Sequence, residues 1–331
     1  MPGRSGACRS NGFSSPPRWY ILWVEVTRTN QVVSPQPGRN RSATTSAAPL
    51  APAWAAEWAF GRERRLSHPC GVSSSADFSL VTVKLPGADA ADGPGLETLT
   101  TNAYRMLFHA LADGPHPHAV RVWNFLPRIL GDSGEGLDRY MRFNAGRYRA
   151  FSECLGRVET FDRSVPAASA VGYEGSELVI CALAAAAPGV AVANPRQVSP
   201  HRYSRRFGPL PPCFARATRI DAAAGKRFLL IGGTASIRGE ESVHVGDLSA
   251  QLAETAENLS VLIQSATGAA SSANALRLLD RLRVYYVRPS DLPVIRRAVE
   301  AWFPNQQHIA WMRADLCRGD LLVEIEGRAQ L

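Results

Sequence analysis

The apolar residues of this chain follow two spacings, and the changes between them predict the order of its secondary structure. Short apolar runs rich in β-branched residues are typical of strands, and they cover residues 78–85, 120–126, 167–173, 177–184, 226–231, 282–287, 308–316 and 321–326. Helical spacing of apolar residues predicts helices over 96–111, 138–155, 247–263 and 291–302. The second half most clearly shows the order β–α–β–α–β–β. This order predicts an α+β fold with helices covering one face of a sheet.

The first 48 residues lack any periodic apolar pattern and are rich in Ser, Thr, Pro and Arg. This composition predicts a disordered basic extension, although an over-extended start of translation would look the same. We expect an N-terminal unit at 49–220 and a C-terminal unit at 221–331. Residues 1–75 contain nine Arg and three Glu, so they carry +6 of the net charge of +8. The nearly neutral remainder disfavours a nucleic-acid partner.

The six cysteines form no CxxC pair and show no zinc-site spacing, so we expect free thiols, a cytoplasmic protein and no metal site. No apolar run approaches the 18 residues that a membrane span requires. The Gly-Gly pair at 232–233 is not a phosphate loop, because no Lys-Ser/Thr follows it at the required spacing.

Several short motifs lie in a fixed order along the chain. They are Asn-Phe-Leu-Pro at 124–127, Arg-Tyr at 139–140, Phe-Asn-Ala-Gly-Arg at 143–147, Val-Gly at 171–172, Asn-Pro-Arg-Gln-Val at 194–198, Phe-Ala-Arg-Ala-Thr at 214–218, Gly-Thr-Ala-Ser-Ile at 233–237 and His-Val-Gly-Asp at 244–247. In this order they resemble the chorismatase family, including its 3-hydroxybenzoate synthases. The second half alone, with its closing Val-Glu-Ile-Glu-Gly at 323–327, resembles the RidA/YjgF fold.

The resemblance implies two fused RidA/YjgF-like (chorismate-mutase-like) α+β units, with the active site in the C-terminal one. It allows a homotrimer, because trimers are common for this fold. It also implies that the substrate is chorismate, which carries two carboxylates. Arg favours such a ligand because its planar fork binds a carboxylate through two N–H groups. The implied substrate-binding residues are Arg147, Arg202, Tyr203, Arg216, Gly233, Thr234 and Arg297.

Glu324 is the expected general acid. Cleaving an enolpyruvyl ether requires a proton on the vinyl methylene carbon, so the acid must stay neutral near pH 7 in a desolvated position. Strand alternation separates Glu324 from Val323 and Ile325. The pattern alone would also fit a solvated outer face, whereas the resemblance implies a functional Glu at this position.

The product remains open between two outcomes. Displacement by the neighbouring ring hydroxyl would give 3-hydroxybenzoate, and the resemblance implies this branch through Gly233 and Cys317, whose thiol or thiolate would assist ring opening. Attack by water would instead give a dihydroxy-cyclohexadiene carboxylate. An imine deaminase is disfavoured, because no Arg follows Phe303 within residues 304–307. A non-catalytic metabolite binder is a further alternative. Neither cleavage route requires a cofactor.

Overall fold

Two six-stranded sheets form the centre of the molecule within the residues that the structure, a computed structural model, describes. These are 51–59, 64–65, 69–156, 160–303 and 308–331. The expected extension at 1–48 and the segment 304–307 lie outside them. No helix in these ranges is long and apolar enough to cross a bilayer.

The first sheet has the strand order β1-β2-β3-β6-β4-β5. Its strands are β1 (Arg64–Arg65), β2 (Cys70–Ser74), β3 (Phe78–Leu85), β4 (His118–Pro127), β5 (Ala167–Tyr173) and β6 (Leu178–Ala185). The helices of this half are α1 (Ala53–Trp58), α2 (Gly93–Ala112), α3 (Arg139–Leu155) and α4 (Phe161–Ser164). Helices α2 and α3 cover one face of the sheet, where Leu96, Tyr104 and Phe143 pack against Val81 and Val122.

The second sheet has the strand order β13-β12-β14-β9-β8-β7. Its strands are β7 (Val190–Val192), β8 (Ala217–Asp221), β9 (Arg227–Ala235), β12 (Leu279–Tyr286), β13 (Ile309–Arg313) and β14 (Val323–Gln330), and a small hairpin joins β10 (Ile237–Arg238) to β11 (Glu241–Ser242). The helices are α5 (Leu248–Thr267), α6 (Ser272–Leu276) and α7 (Leu292–Trp302). Leu259 and Ile295 from these helices pack against Val284, Val323 and Ile325 of the sheet.

Both halves repeat one arrangement of seven elements. A hairpin (β2-β3 or β8-β9) is followed by a helix, a strand, a helix and two strands, and the last strand lies between the hairpin and the third strand. In each half the third and fourth strands are parallel, as in β4-β5 and β12-β13. The predicted α+β class, with helices on one face of each sheet, is therefore confirmed. The boundary expected after residue 220 falls within β8, which belongs to the second sheet, and the division into two domains stays a prediction.

The faces of the two sheets that the helices leave uncovered share a second apolar core. Trp123 and Phe125 of the first sheet lie in the same cluster as Leu230 and Tyr285 of the second, and Trp54 of α1 joins them. Residues from Pro49 onward make one compact unit. The inner face of β14 therefore looks towards the first half of the chain.

The Gly-Gly pair at 232–233 forms neither a loop nor a turn, because β9 continues through both residues to Ala235. The glycines serve close packing instead. A Cβ on Gly232 would lie 2.7 Å from the carbonyl oxygen of Ala168 in β5, closer than packed atoms approach. Gly232 thus lets β5 approach the second sheet.

Candidate active site

A cavity of about 270 Å³ lies where α3, the edge strand β5 and the inner face of the second sheet meet. The first half contributes Asp138, Tyr140, Met141, Arg147, Ala168, Ser169 and Ala170 to its wall. The rest of the wall is Tyr203, Arg206, Phe207, Pro212, Phe214, Arg216, Gly233, Ala235, Ile237, Cys317, Arg318, Gly319, Asp320 and Glu324. Both halves of the chain therefore build the cavity, although the resemblance implied a site within residues 221–331.

Glu324 projects from β14 into this cavity. Its neighbours Val323 and Ile325 pack under the helices, so alternation turns Glu324 to the opposite face, as predicted. The residue is 4% exposed, and its Oε1 atom has no hydrogen-bond partner among the residues that the structure describes. Burial, followed by the charge of Glu326, raises the pKa of Glu324 to about 8, although Arg121 and Arg216 oppose the shift. The carboxyl group is therefore largely protonated at pH 7.

Glu326 shares the inner face of β14 but has a full set of partners. The indole Nε1 of Trp123 donates to its Oε1 at 2.9 Å, and the guanidinium Nη2 of Arg121 donates to its Oε2 at 2.7 Å. The hydroxyl of Ser169 donates to the same Oε2 atom. Two carboxyl groups two residues apart therefore have opposite environments, since hydrogen-bond donors hold Glu326 whereas Glu324 faces the cavity.

Arg147 presents unsatisfied donors to the cavity. It lies on α3, is fully buried and stacks between the rings of Phe143 and Phe214. Its Nη2 donates to Asn144 Oδ1 at 2.8 Å, while Nε and Nη1 have no hydrogen-bond partner in the described part of the chain. Buried N–H groups are seldom left unpaired, so the Nε and Nη1 groups of this guanidinium can donate hydrogen bonds to an anionic ligand.

Arg216 and Tyr203 form a second polar group in the wall. Nη2 of Arg216 donates to the Tyr203 hydroxyl at 2.6 Å and to the carbonyl of Val198 at 3.2 Å. Within the described residues, its Nε has no hydrogen-bond partner. Arg318 lies beside them, with its guanidinium 4.0 Å from the centre of the Phe207 ring. Two buried guanidinium groups and one at the rim give the cavity affinity for negative charge.

Cys317 also lines the cavity, as expected. Burial, and then the neighbouring Glu324, raise the pKa of its thiol to about 12. The side chain is therefore a neutral thiol at pH 7, and of the two forms considered from the sequence the thiolate is disfavoured.

Three expected binding residues do not reach the cavity wall. Arg202 is exposed and pairs with Asp162. Arg297 is exposed on α7, whose buried residues Ile295 and Val299 take the face towards the sheet. Thr234 lies within β9 rather than in a turn, and its hydroxyl donates to the carbonyl of Gly232 at 3.1 Å. The alternation that turns Gly233 and Ala235 to the cavity turns Thr234 away from it.

Other residues of the wall were not identified from the sequence. Tyr140 and Phe214 stand inside motifs quoted for the resemblance, so their positions carried a signal that was not used. Ser169 lies in no sequence motif of a hydrolase nucleophile. Arg318, next to Cys317, lay in no motif, and only its packing against Tyr203 and Phe207 identifies it.

The arrangement provides a neutral carboxylic acid and buried guanidinium groups around one small cavity. It can hold a compact anion of one or two carboxylates and donate a proton to a carbon or oxygen atom placed against Glu324. Within the described residues, no group of three or more His, Cys, Asp or Glu is placed to hold a metal ion.

Comparisons with known proteins agree on one family. The family model described as "Chorismatase FkbO/Hyg5-like, N-terminal" matches residues 54–184. A 3-hydroxybenzoate synthase of Streptomyces hygroscopicus is 38% identical over 237 residues, which cover 69% of this chain and 68% of that protein. A chorismatase of the same species is 33% identical over 233 residues, with 69% and 66% covered. A chorismatase crystal structure is 28% identical, with a TM-score of 0.71, and 80% of this chain and 78% of that one are covered.

Proposed function

The chain belongs to the chorismatase family, and we propose on that basis that it converts chorismate into 3-hydroxybenzoate and pyruvate. The observation that carries this proposal is Glu324, a buried carboxyl group whose pKa is raised to about 8 and whose Oε1 faces the cavity without a partner. An enol ether needs such an acid, because the proton must go to carbon at neutral pH.

Arg147 and Arg216 are the proposed partners of the two carboxylates of chorismate. Both have buried N–H groups without a hydrogen-bond acceptor among the described residues, and both line the cavity that Glu324 also lines. A bound carboxylate would supply the missing acceptors, and guanidinium binds it more strongly than a neutral donor. Tyr203 is proposed to fix the orientation of Arg216 through their 2.6 Å hydrogen bond.

The proposed reaction begins with transfer of the Glu324 proton to the vinyl methylene carbon, which becomes the methyl group of pyruvate. The neighbouring ring hydroxyl oxygen then attacks the ring carbon that bears the ether. The proton of this hydroxyl group passes to the carboxylate of Glu324, which restores the acid. The bond from this carbon to the ether oxygen breaks, and that oxygen leaves as the ketone of pyruvate. The resulting arene oxide opens and loses its ring proton, which gives the phenol. The two products together contain all the atoms of chorismate, so no water is consumed.

Gly233 and Cys317 support 3-hydroxybenzoate as the product. Both line the cavity with Glu324, and the absence of a side chain at Gly233 leaves room for the Glu324 carboxyl group itself. The neutral Cys317 thiol is proposed to donate to the oxygen of the opening arene oxide. The relative named 3-hydroxybenzoate synthase is 38% identical to this chain, compared with 33% for the chorismatase.

Mass analysis of the products from purified chorismate tests the proposal. We expect equal amounts of pyruvate and 3-hydroxybenzoate, above the slow decomposition in a protein-free sample. The Glu324→Gln protein, prepared in the same way, controls for contaminating enzymes of the host. A folded sample that releases no pyruvate would refute the activity. Pyruvate accompanied by the dihydroxy-cyclohexadiene acid would refute the product and identify a hydrolase.

A further inference from the structure

A buried ion pair joins the two halves of the chain directly beside the cavity. Arg121 of β4 and Glu326 of β14 are 205 residues apart in sequence, and their side chains are 1% and 3% exposed. The hydroxyl of Ser169 binds both partners and also stands in the cavity wall. The pair therefore contacts, through Ser169, the wall of the cavity that Glu324 also lines.

The guanidinium of Arg121 is buried, so neighbouring protein groups and not solvent compensate its charge. Its Nη1 donates to the carbonyl of Val122, and Glu326 accepts from its Nη2. Its Cζ atom lies 4.8 Å from the centre of the Trp123 ring. A buried cation that loses its counter-ion strongly favours ionisation of the nearest acid. Glu324, two residues from Glu326 on the same face of β14, is the other carboxyl group whose charge interacts with Arg121.

We infer that Glu326 is a positioning residue for catalysis: by neutralising Arg121, it leaves Glu324 in the acid form that donates the proton. Glu326 does not touch the substrate in this arrangement. Trp123 and Ser169 of the first half hold its carboxylate towards Arg121, so the first half also contributes to the protonation of the acid.

The charges around Glu324 agree with this assignment. Glu326 raises the pKa of Glu324, while Arg121 lowers it, so the two members of the ion pair act in opposite directions. The titratable and charged groups that face this region from the surrounding elements are Arg121 on β4, Asp138, Tyr140 and Arg147 at α3, Tyr203, Arg206 and Arg216 before β8, Arg283 and Tyr285 on β12, Cys317, Arg318 and Asp320 before β14, and Glu326 itself. Arg283 lies farther from Glu326 than Arg121 does, at 4.0 Å.

The test is the pH profile of pyruvate release in three variants. In Glu326→Gln the uncompensated Arg121 should ionise Glu324, so the rate at pH 7 should fall by roughly tenfold or more and recover towards pH 5.5. The double variant Arg121→Met with Glu326→Gln removes both charges and should regain most of the rate at pH 7. In Arg121→Met alone, the unpaired Glu326 should move the alkaline decline to higher pH than in the wild type.

A purely structural role predicts a different result. Asp280→Asn is the matched control, because it breaks a largely buried ion pair with Arg328 away from the cavity. It should lower the melting temperature and leave the pH profile unchanged. If Glu326→Gln behaved like this control, or if the double variant were no more active than Glu326→Gln, the inference would be wrong. If Glu326→Gln does not fold, an unshifted profile in Arg121→Met would overturn the inference instead.

The inference rests on the proposed function, but it can be tested without chorismate. The infrared band of a neutral carboxyl group, assigned to Glu324 by its loss in Glu324→Gln, should be present at pH 7 in the wild type. The band should be absent in Glu326→Gln and restored in the double variant. A wild type that releases no pyruvate but shows these bands would refute the function alone. An active wild type whose band persists in Glu326→Gln would refute only the inference.

Discussion

A Cβ atom on Gly233 would lie 2.6 Å from the carboxyl carbon of Glu324. This is well inside van der Waals contact, so any side chain at position 233 would push the acid out of its place. The glycine therefore fixes where the Glu324 carboxyl group can stand, and Cys317 lines the same cavity.

Changing both neighbours of the acid should change the product. In the double variant Gly233→Ala with Cys317→Ala, the displaced carboxyl group and the missing thiol should favour capture by water. We expect a shift from 3-hydroxybenzoate towards the dihydroxy-cyclohexadiene acid, measured by chromatography with mass detection. An unchanged product ratio at reduced rate would show that these residues do not select the product.

Glu324→Gln should abolish turnover while leaving the fold and the binding of chorismate largely intact. The amide keeps the shape of the side chain but cannot donate a proton of comparable acidity, so we expect a loss in kcat of roughly a thousandfold or more. Glu300→Gln, at an exposed position on α7, is the matched control and should retain full activity. Substantial activity in the Glu324 variant would contradict its role as the acid.

The rate should fall on the alkaline side as Glu324 loses its proton. Because the pKa of this group is raised to about 8, kcat should be nearly constant between about pH 6 and 7 and should decline about tenfold per pH unit well above 8. Initial rates across a set of overlapping buffers measure this. A decline already complete below pH 6 would mean that another group is the acid.

The free energy of unfolding should also depend on the ionisation of Glu324, and it should decrease as the pH rises. The pKa of Glu324 is higher in the folded protein, at about 8, than its ordinary value of 4.5, so the folded state holds more protons between these two pH values. The free energy of unfolding should therefore decrease as the pH rises from about 4.5 to 8, by a few kcal/mol at most. Urea unfolding of the wild type and Glu324→Gln should show this slope in the wild type alone. Equal slopes would place Glu324 in a solvated environment.

The arginines inside the cavity should differ from those outside it. Arg147→Lys and Arg216→Lys keep a positive charge but lose the planar fork, so we expect KM for chorismate to rise by roughly tenfold or more. Arg202→Lys and Arg297→Lys are matched controls at exposed positions and should leave KM nearly unchanged. A large effect at Arg297 with none at Arg147 would reverse the proposed assignment.

Periodicity alone located most of the fold and placed Glu324 on the opposite face from Val323 and Ile325, but it left open whether that face is buried or solvated. The run from 78 to 85 is a strand with the predicted bounds, and alternation within β14 turned Glu324 away from Val323. Local patterns could not tell Arg147 from Arg297, because both are helical arginines and only the packing of each helix decides which one is buried. The pairing of Arg121 with Glu326 was equally inaccessible, since it joins strands about 200 residues apart.

The repeated arrangement of the two halves does not produce two equivalent sites. Strand β6, the counterpart of β14, has the sequence Leu-Val-Ile-Cys-Ala-Leu-Ala-Ala and carries no ionisable carboxyl group. The closing strand of the second copy therefore supplies a carboxyl group to the cavity, while the first copy supplies Arg147 and Ser169 to its wall and the buried Arg121 beside it. A fragment comprising only the second half would keep Glu324 but lose Arg147, Arg121 and Ser169. Such a fragment should be catalytically inactive even when folded. Adding the first half as a separate chain should restore turnover only if the two fragments associate.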